Sequence, residues 1–574
     1  MAPVGGTASF EAAAFARRKE LAGKSGPLAL LNNLKVFGIA CFACLGGLLY
    51  GYNQGVFSGV LTMPAFERNM PNWVGDDNST RMGWLTAILE LGAWFGTMYS
   101  GFLSEIISRK YAILVNVAIF VVGVIIQATA VVGDGHSEIL AGRFVTGMGV
   151  GSLSMIVPMY NAEIAPPEVR GALVGLQQLS ITLGIMISFW IDYGTNYIGG
   201  TGDGQHNAAW LLPLCLQLVP AVLLGSGMIF MPFSPRWLVH HGRDAEARKV
   251  LAGLRSLAQD HPLIELEYAE IRAQALFDKR TLAENFPHLS EQTAWNTIKL
   301  QFVAIGSLFR SMSMFRRVIV ATVTMFFQQW TGINAILYYA PQIFEKLGQD
   351  DNTISLLATG VVGIVMFIAT IPAVMYVDKL GRKPVLIVGA IGMAASHLIV
   401  AVLAAMNEDQ WPTHQAAGWA AVVMIWLFVI HFGYSWGPCA WIVIAEVWPL
   451  SNRPYGIALG ASSNWMNNFI VGQVTPDMLT NLRYGTYIFF GLLTLGGAVF
   501  VWLVVPETKS LTLEEMDLIF GSPGTAEADA ERMREINREL GLDDLVQHIG
   551  VETGVDEKGA HVADLKEGSG NHSS

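Results

Sequence analysis

Residues 317–344 read RVIVATVTMFFQQWTGINAILYYAPQIF. After Arg317 the run carries no charge, and it is longer than the roughly 20 residues a helix needs to cross a bilayer core of about 30 Å. Its middle is nonetheless polar. Gln328 and Gln329 stand beside Gly332 and Asn334, where glycine and consecutive polar groups should break a helix and free backbone carbonyls. Inside lipid an unpaired polar group is expensive, so such a break belongs where it faces a cavity. Discontinuous helices near the midplane are where transporters bind their cargo.

Working outward, the rest of the chain repeats the long apolar run. Of its 574 residues 52% are hydrophobic and 14% charged, against about 25% charged in an average soluble protein. Twelve apolar runs can be counted as spans: 36–57, 82–104, 111–132, 137–159, 171–195 and 209–231, then 317–344, 354–377, 384–406, 417–445, 454–477 and 484–505. Charge gathers between and beyond them: residues 232–316 hold 20 charged side chains and residues 317–505 only 15. The net charge of −11 belongs mostly to residues 506–574, where 16 acids against 6 bases give −10, so it says nothing about a substrate. The organisation expected is a cytosolic segment 1–35, a six-helix half 36–231, a cytosolic linker 232–316 with short helices in 244–258 and 263–277, a second half 317–505, and an acidic tail 506–574, largely disordered by its composition.

An even number of spans puts both termini on one side, and the basic residues identify it. With the termini inside, 30 of the 35 Lys and Arg are cytoplasmic, leaving Arg68, Arg81, Arg143, Lys346 and Arg483 toward the other face. The first outside loop contains Asn78-Ser79-Thr80, a glycosylation acceptor or a chance sequon. The first 35 residues are too long and basic for a cleaved signal. Cys41, Cys44, Cys215 and Cys439 all lie in apolar runs, which excludes a disulfide scaffold or zinc ribbon. No catalytic triad, metal site, phosphate loop or nucleic-acid motif is legible, so an enzyme is the least favoured class and no cofactor is expected.

A weak internal repeat ties the halves together. SEIISRK (104–110) pairs with VDKLGRK (377–383), EIAPPEVR (163–170) with EVWPLSNR (446–453), and PFSPR (232–236) with PETK (506–509), at offsets of 273, 283 and 274. Similar offsets imply two halves in the same orientation, related by an axis along the membrane normal. Charged pairs recur in both copies: Glu105 with Arg109, Asp378 with Arg382, Glu163 with Arg170, and Glu446 with Arg453, spaced four or seven apart on one helical face. Solvated loop charge would explain any one pair; the recurrence points to a contact between halves.

GRFVTGMGVG (142–151), PMYNAEIAPPEVRG (158–171), SPRWL (234–238), QQWTGINAILYY (328–339), DKLGRK (378–383), WGPCAWIVIAEVWP (436–449), NWMNNFIVG (464–472) and PETKSLTLEEMD (506–517) occur in order over residues 36–520. Together they resemble the sugar porter family of the major facilitator superfamily, fungal monosaccharide transporters in style. The resemblance implies a monosaccharide carrier of the plasma membrane, hexose or pentose, working by alternating access as a monomeric unit. It places hydroxyl contacts on Gln178, Gln328, Gln329, Asn334 and Asn464, stacking on Trp441, an outer gate on Tyr338 and Tyr339, and a cytoplasmic latch on the repeated charge pairs. It departs at Met366, where many relatives have Asn, at Gly433, where animal carriers have Glu, and at Phe233, where relatives usually have Glu.

The residues themselves support a neutral polyhydroxylated ligand. Asn464 and Asn468 share one face of span 11 beside Trp465, and Trp441 follows the helix-breaking Gly437-Pro438 in span 10. Interhelical hydrogen bonding would account for any single amide. The alternating glycines of GRFVTGMGVG open a membrane helix with no strand before them, so they read as close helix packing and not as a nucleotide loop. Arg143 within them needs an acid, and Glu90 in span 2 and Asp192 in span 5 are the candidates. Proton-coupled relatives carry Asp where GGLLYGYN (46–53) has Asn53, and Asn cannot take up a proton. Facilitated diffusion is the direct reading, with sugar/proton symport through Asp192 or Glu90 as the alternative and a transporter-like sugar sensor as the alternative of another class.

Overall fold

A computed structural model describes residues 34–545 except 134, 166–169, 292, 350–351, 408–409, 510, 512, 523 and 543–544. The expected N-terminal segment up to residue 33 and the tail beyond 545 lie outside the described residues, as do the side chains of Arg170 and Asp378. Every regular element among those described is a helix. In chain order the spans are 1 (Leu34–Ala43 with Leu45–Val60), 2 (Ser79–Ile107), 3 (Arg109–Ala128), 4 (His136–Ile164), 5 (Arg170–Thr195) and 6 (Ala208–Leu216 with Leu218–Met228). The second set is 7 (Met312–Trp330 with Ile333–Lys346), 8 (Asn352–Leu380), 9 (Arg382–Asn407), 10 (Gln415–Tyr434 with Trp436–Glu446), 11 (Arg453–Asn481) and 12 (Gly485–Leu503).

Among the described residues eight of these helices are long and apolar enough to cross a membrane by composition alone. The other four are spans 2, 5, 7 and 11, which hold Glu90, Gln178 with Asp192, Gln328 with Gln329, and Asn464 with Asn468. Polar side chains dilute the apolar signal in the four helices that must face other helices or a cavity.

The packing obeys the internal repeat. Spans 1·5, 2·4 and 3·6 pack in the first half, and their counterparts 7·11, 8·10 and 9·12 pack in the second. Between halves the most extensive contacts are 2·11 and 5·8, a pair that the pseudo-two-fold axis exchanges, and span 1 also meets its own counterpart, span 7. Small residues make the helix approaches possible: a Cβ on Gly147 would lie 2.0 Å from the Leu89 carbonyl oxygen, and one on Gly151 would lie 2.0 Å from that of Ala93. This is the close packing expected of GRFVTGMGVG.

On the side that carries the termini, helices Pro235–His240, Asp244–Arg255, Pro262–Asn285 and Ala294–Ser307 form the connection between halves. Within the acidic tail 506–574, expected from composition to be largely disordered, Thr525–Glu539 is a helix. Its Ile536, with Leu542, packs on Leu266, Ala273 and Phe277 of the linker helix, and Arg532 and Glu539 pair with Glu284 and Arg280. A short charged helix gains its stability from such docking, which composition does not report.

Glu507, just past span 12, caps the start of span 9 by accepting N–H bonds from Arg382 (2.9 Å) and Lys383 (3.1 Å), with a third from Lys509 (3.0 Å). Partial burial opposes its charge, but these backbone dipoles outweigh it and hold the carboxyl below its ordinary value. A depressed folded pKa gives stability that is complete above the unfolded value of about 4.3 and lost as pH falls through the folded one. The difference in melting temperature between the parent and Glu507→Ala should therefore stay constant at neutral pH and shrink below about pH 4. A difference that widens on acidification would contradict this.

Candidate functional site

Span 7 breaks where its sequence indicated. The first helix ends at Trp330, and Gly332 adopts φ +90°, a left-handed conformation that favours glycine, before the second helix begins at Ile333. His397 of span 9 braces the break: its Nε2 donates to the Thr331 carbonyl at 2.9 Å. A lone histidine in the apolar run 384–406 was the only sequence signal of this role. Span 10 breaks at Ser435, two residues before Gly437-Pro438, which lie in the first turn of the second helix.

The two breaks meet. Gln328 Nε2 donates to the Trp436 carbonyl at 2.8 Å and Gln328 Oε1 accepts from Asn464 Nδ2 at 2.6 Å, which joins spans 7, 10 and 11. Gln329 Oε1 accepts from Asn334 Nδ2 across the span 7 break. All four amides are buried, whereas Gln178 of span 5 and Trp441 of span 10 are half-exposed. The amides thus satisfy one another in this state, and a hydroxylated ligand would have to exchange with those bonds. Such an exchange of neutral hydrogen bonds is nearly balanced in energy, which suits binding followed by release.

Above the amides the far side is sealed. Tyr338 Oη donates to Asn468 Oδ1 at 2.9 Å and Tyr339 Oη to the Gly472 carbonyl at 2.7 Å, tying span 7 to span 11. Tyr339 itself sits at a kink, with φ −127° and ψ 21°. Links across the halves lie on the same face: Lys346 pairs with Asp76 at 2.8 Å, and Asp477 accepts from Ser79 and Thr80 at 2.5 and 2.9 Å. Asn78 is half-buried on this face and donates to the Val74 carbonyl at 3.3 Å. Two apolar grooves of about 460 and 320 Å³ lie on the outer flank of spans 2 and 4, away from the amides.

The intramembrane charges separate clearly. Arg143 is buried, with Nη2 donating to the Thr86 carbonyl at 2.8 Å and its guanidinium 3.9 Å from the Phe57 ring centroid. The ionisable groups facing it are Glu90, Tyr338 and Tyr339. Asp192 packs instead against Gly59 of span 1, where a Cβ would meet its carboxylate at 2.7 Å. Asn53 is buried and donates to its own helix at the Leu49 carbonyl, 2.9 Å.

Among the described residues, the repeated charge pairs on the terminal side bond within each half. Arg109 bonds Glu105 at 2.7 Å and Glu163 at 3.0 Å, and Arg382 bonds Glu446 at 2.9 Å. Arg453 donates to the Trp448 carbonyl at 3.4 Å in place of pairing with Glu446. The same local brace is thus built twice, each fastening the start of span 3 or 9 to the end of span 4 or 10. Phe233 does not leave its arm empty, because Lys110 and Arg243 lie 5.0 and 5.3 Å from its ring centroid as cation–π partners.

Two pseudo-symmetric six-helix halves around a set of central amides have the architecture of a multi-pass membrane transporter. The family model described as "Sugar (and other) transporter" matches residues 39–520, and the chain belongs to that family. It is a transporter and not an enzyme. A "MFS-type transporter qa-x" from Neurospora crassa is 31% identical over 88% of this chain and 92% of its own length. A "Quinate permease" from Neurospora africana is 32% identical with the same coverages. Among solved structures, the xylose transporter XylE from E. coli in a partially occluded inward-open conformation is similar with a TM-score of 0.67 and 26% identity, covering 83% of this chain and 99% of XylE. The proton:xylose symporter XylE bound to 6-bromo-6-deoxy-D-glucose gives a TM-score of 0.67 at 27% identity, with 84% of this chain and 99% of the other covered.

Proposed function

We propose that this chain carries a monosaccharide, hexose or pentose, across the plasma membrane by alternating access, as a monomer with both termini in the cytoplasm. The observation that carries the reading is the joining of the span 7 and span 10 breaks to span 11 through Gln328 and Asn464, with Gln329 and Asn334 beneath the Tyr338 and Tyr339 gate and Trp441 half-exposed. Amides and an indole face bind hydroxyls and C–H faces without demanding charge. The similarity to the xylose transporter XylE supports the same ligand class.

The relatives named quinate permeases favour a second reading, a cyclic polyhydroxy acid. Such a ligand shares the ring hydroxyls but adds a carboxylate, for which the neutral side chains of Gln178, Gln328, Gln329, Asn334, Trp441 and Asn464 supply no cation. Uptake of labelled D-glucose by cells expressing the chain, competed by a panel of hexoses, pentoses and quinate, separates the two. Hexoses or pentoses should compete and equimolar quinate should not. Labelled quinate entering while sugars neither enter nor compete would replace the first reading with the second.

A further inference from the structure

Glu90 and Asp192 are both buried acids whose carboxylate oxygens have no hydrogen-bond partner, and Glu90 is the one that faces Arg143 and the gate. Glu90 lies fully buried in span 2. The titratable groups facing it are Arg143 from span 4, Tyr50 from span 1, and Tyr338 and Tyr339 from span 7. Arg143 is equally underused, since its Nε and Nη1 have no hydrogen-bond partner. Tyr338 lies beside the Glu90 carboxyl but directs its own proton to Asn468. A phenol whose hydrogen is committed elsewhere can only accept, and an ionised carboxylate has nothing to donate.

We propose that Glu90 is a reversible proton-binding site whose protonated form locks the Tyr338 gate, so that sugar movement is coupled to protons through span 2 in place of the usual span 1 position. The proposal rests on the transport reading above and replaces facilitated diffusion, which follows from Asn53 alone. Protonated, Glu90 donates to the Tyr338 oxygen, Tyr338 donates to Asn468, and a continuous chain runs from span 2 in the first half to spans 7 and 11 in the second. Ionised, Glu90 becomes an acceptor that competes with Asn468 for the Tyr338 proton and draws the spare donors of Arg143. The gate then loses its bond to span 11. The two hydrogen-bond patterns correspond to a closed and a released far face, which is the two-state element that coupling requires. The proton is taken from water at the far face while the gate is open, and it returns to water on the terminal side after the amides have released the sugar. Asp192 does not share this geometry, because its carboxylate is packed on span 1.

The test uses the full-length chain in proteoliposomes with labelled D-glucose and D-xylose, measuring counterflow without a gradient, accumulation under an inward proton gradient, and lumenal acidification with an entrapped pH dye. The parent protein should concentrate sugar up to about tenfold per unit of pH gradient for one proton per sugar and acidify the lumen only when sugar is present. Glu90→Gln keeps a donor toward Tyr338 but cannot titrate, so counterflow should persist while the accumulation ratio falls to one and sugar-dependent acidification disappears. Tyr338→Phe removes the reader of the proton and should lower the protons moved per sugar. A parent protein that exchanges sugar without accumulating it overturns the proposal and leaves the transport reading standing. So does a Glu90→Gln variant that still concentrates sugar, or an Asp192→Asn variant that alone abolishes accumulation. Absence of counterflow in the parent overturns the transport reading itself and the coupling with it.

Discussion

Replacing Arg317 with alanine is expected to leave little folded protein in the membrane. The guanidinium, 0% exposed, is enclosed where span 7 begins. It pairs with Asp517 at 2.5 Å, donates to the Val447 carbonyl and to Ser522 Oγ, and lies 4.5 Å from the Phe520 ring centroid. Asp517 in turn accepts from the Ala526 backbone N–H at 2.5 Å, which starts the docked tail helix. Breaking a buried pair by removing one partner costs about 3–5 kcal/mol because the other charge stays unpaired, a large part of the roughly 5–15 kcal/mol that holds a domain together. Thermal unfolding in detergent should show a fall of several degrees or more, and Arg317→Ala/Asp517→Ala together should recover part of it. An unchanged melting temperature in the single variant would mean that the tail is not fastened there.

The second large effect is on transport. Gln329→Ala removes the acceptor of Asn334 beneath the gate, and Trp441→Ala removes the half-exposed indole of span 10. A lost hydrogen bond costs about 0.5–1.5 kcal/mol, more when a partner is left buried and unpaired, and an aromatic contact about as much beyond its area. With every 1.4 kcal/mol worth about tenfold, each variant should raise the KM for sugar by about tenfold or more while surface expression stays at the parental level. Both variants transporting with parental KM would place the binding site elsewhere.

Most of the architecture is legible in the sequence because a bilayer allows few solutions. Long apolar runs, the break at Gln328 to Asn334, the repeated motifs and the glycines of GRFVTGMGVG all express constraints local to one helix or copied between halves. What is not legible depends on how helices are rotated and docked. Glu90 and Asp192 are equivalent acids in sequence, and only the packing of span 2 against span 4 turns one of them to Arg143. The charge pairs repeat at helical spacing whether they bridge the halves or brace each half internally, so their recurrence could not identify the partner. The helix Thr525–Glu539 is acidic and polar by composition, and its order comes from the face it lays on Phe277 and Leu266.

Counterflow is the most direct measure of whether the chain moves sugar through its centre. Proteoliposomes preloaded with unlabelled D-glucose or D-xylose should draw in the labelled sugar transiently above equilibrium. A carrier exchanges bound ligand across the bilayer, whereas a sensor of the same fold binds it without exchange. A transient overshoot in the parent that is weakened in Gln329→Ala and Trp441→Ala is the predicted result. Saturable binding of sugar by the purified protein with no overshoot would contradict the account and make the fold a receptor.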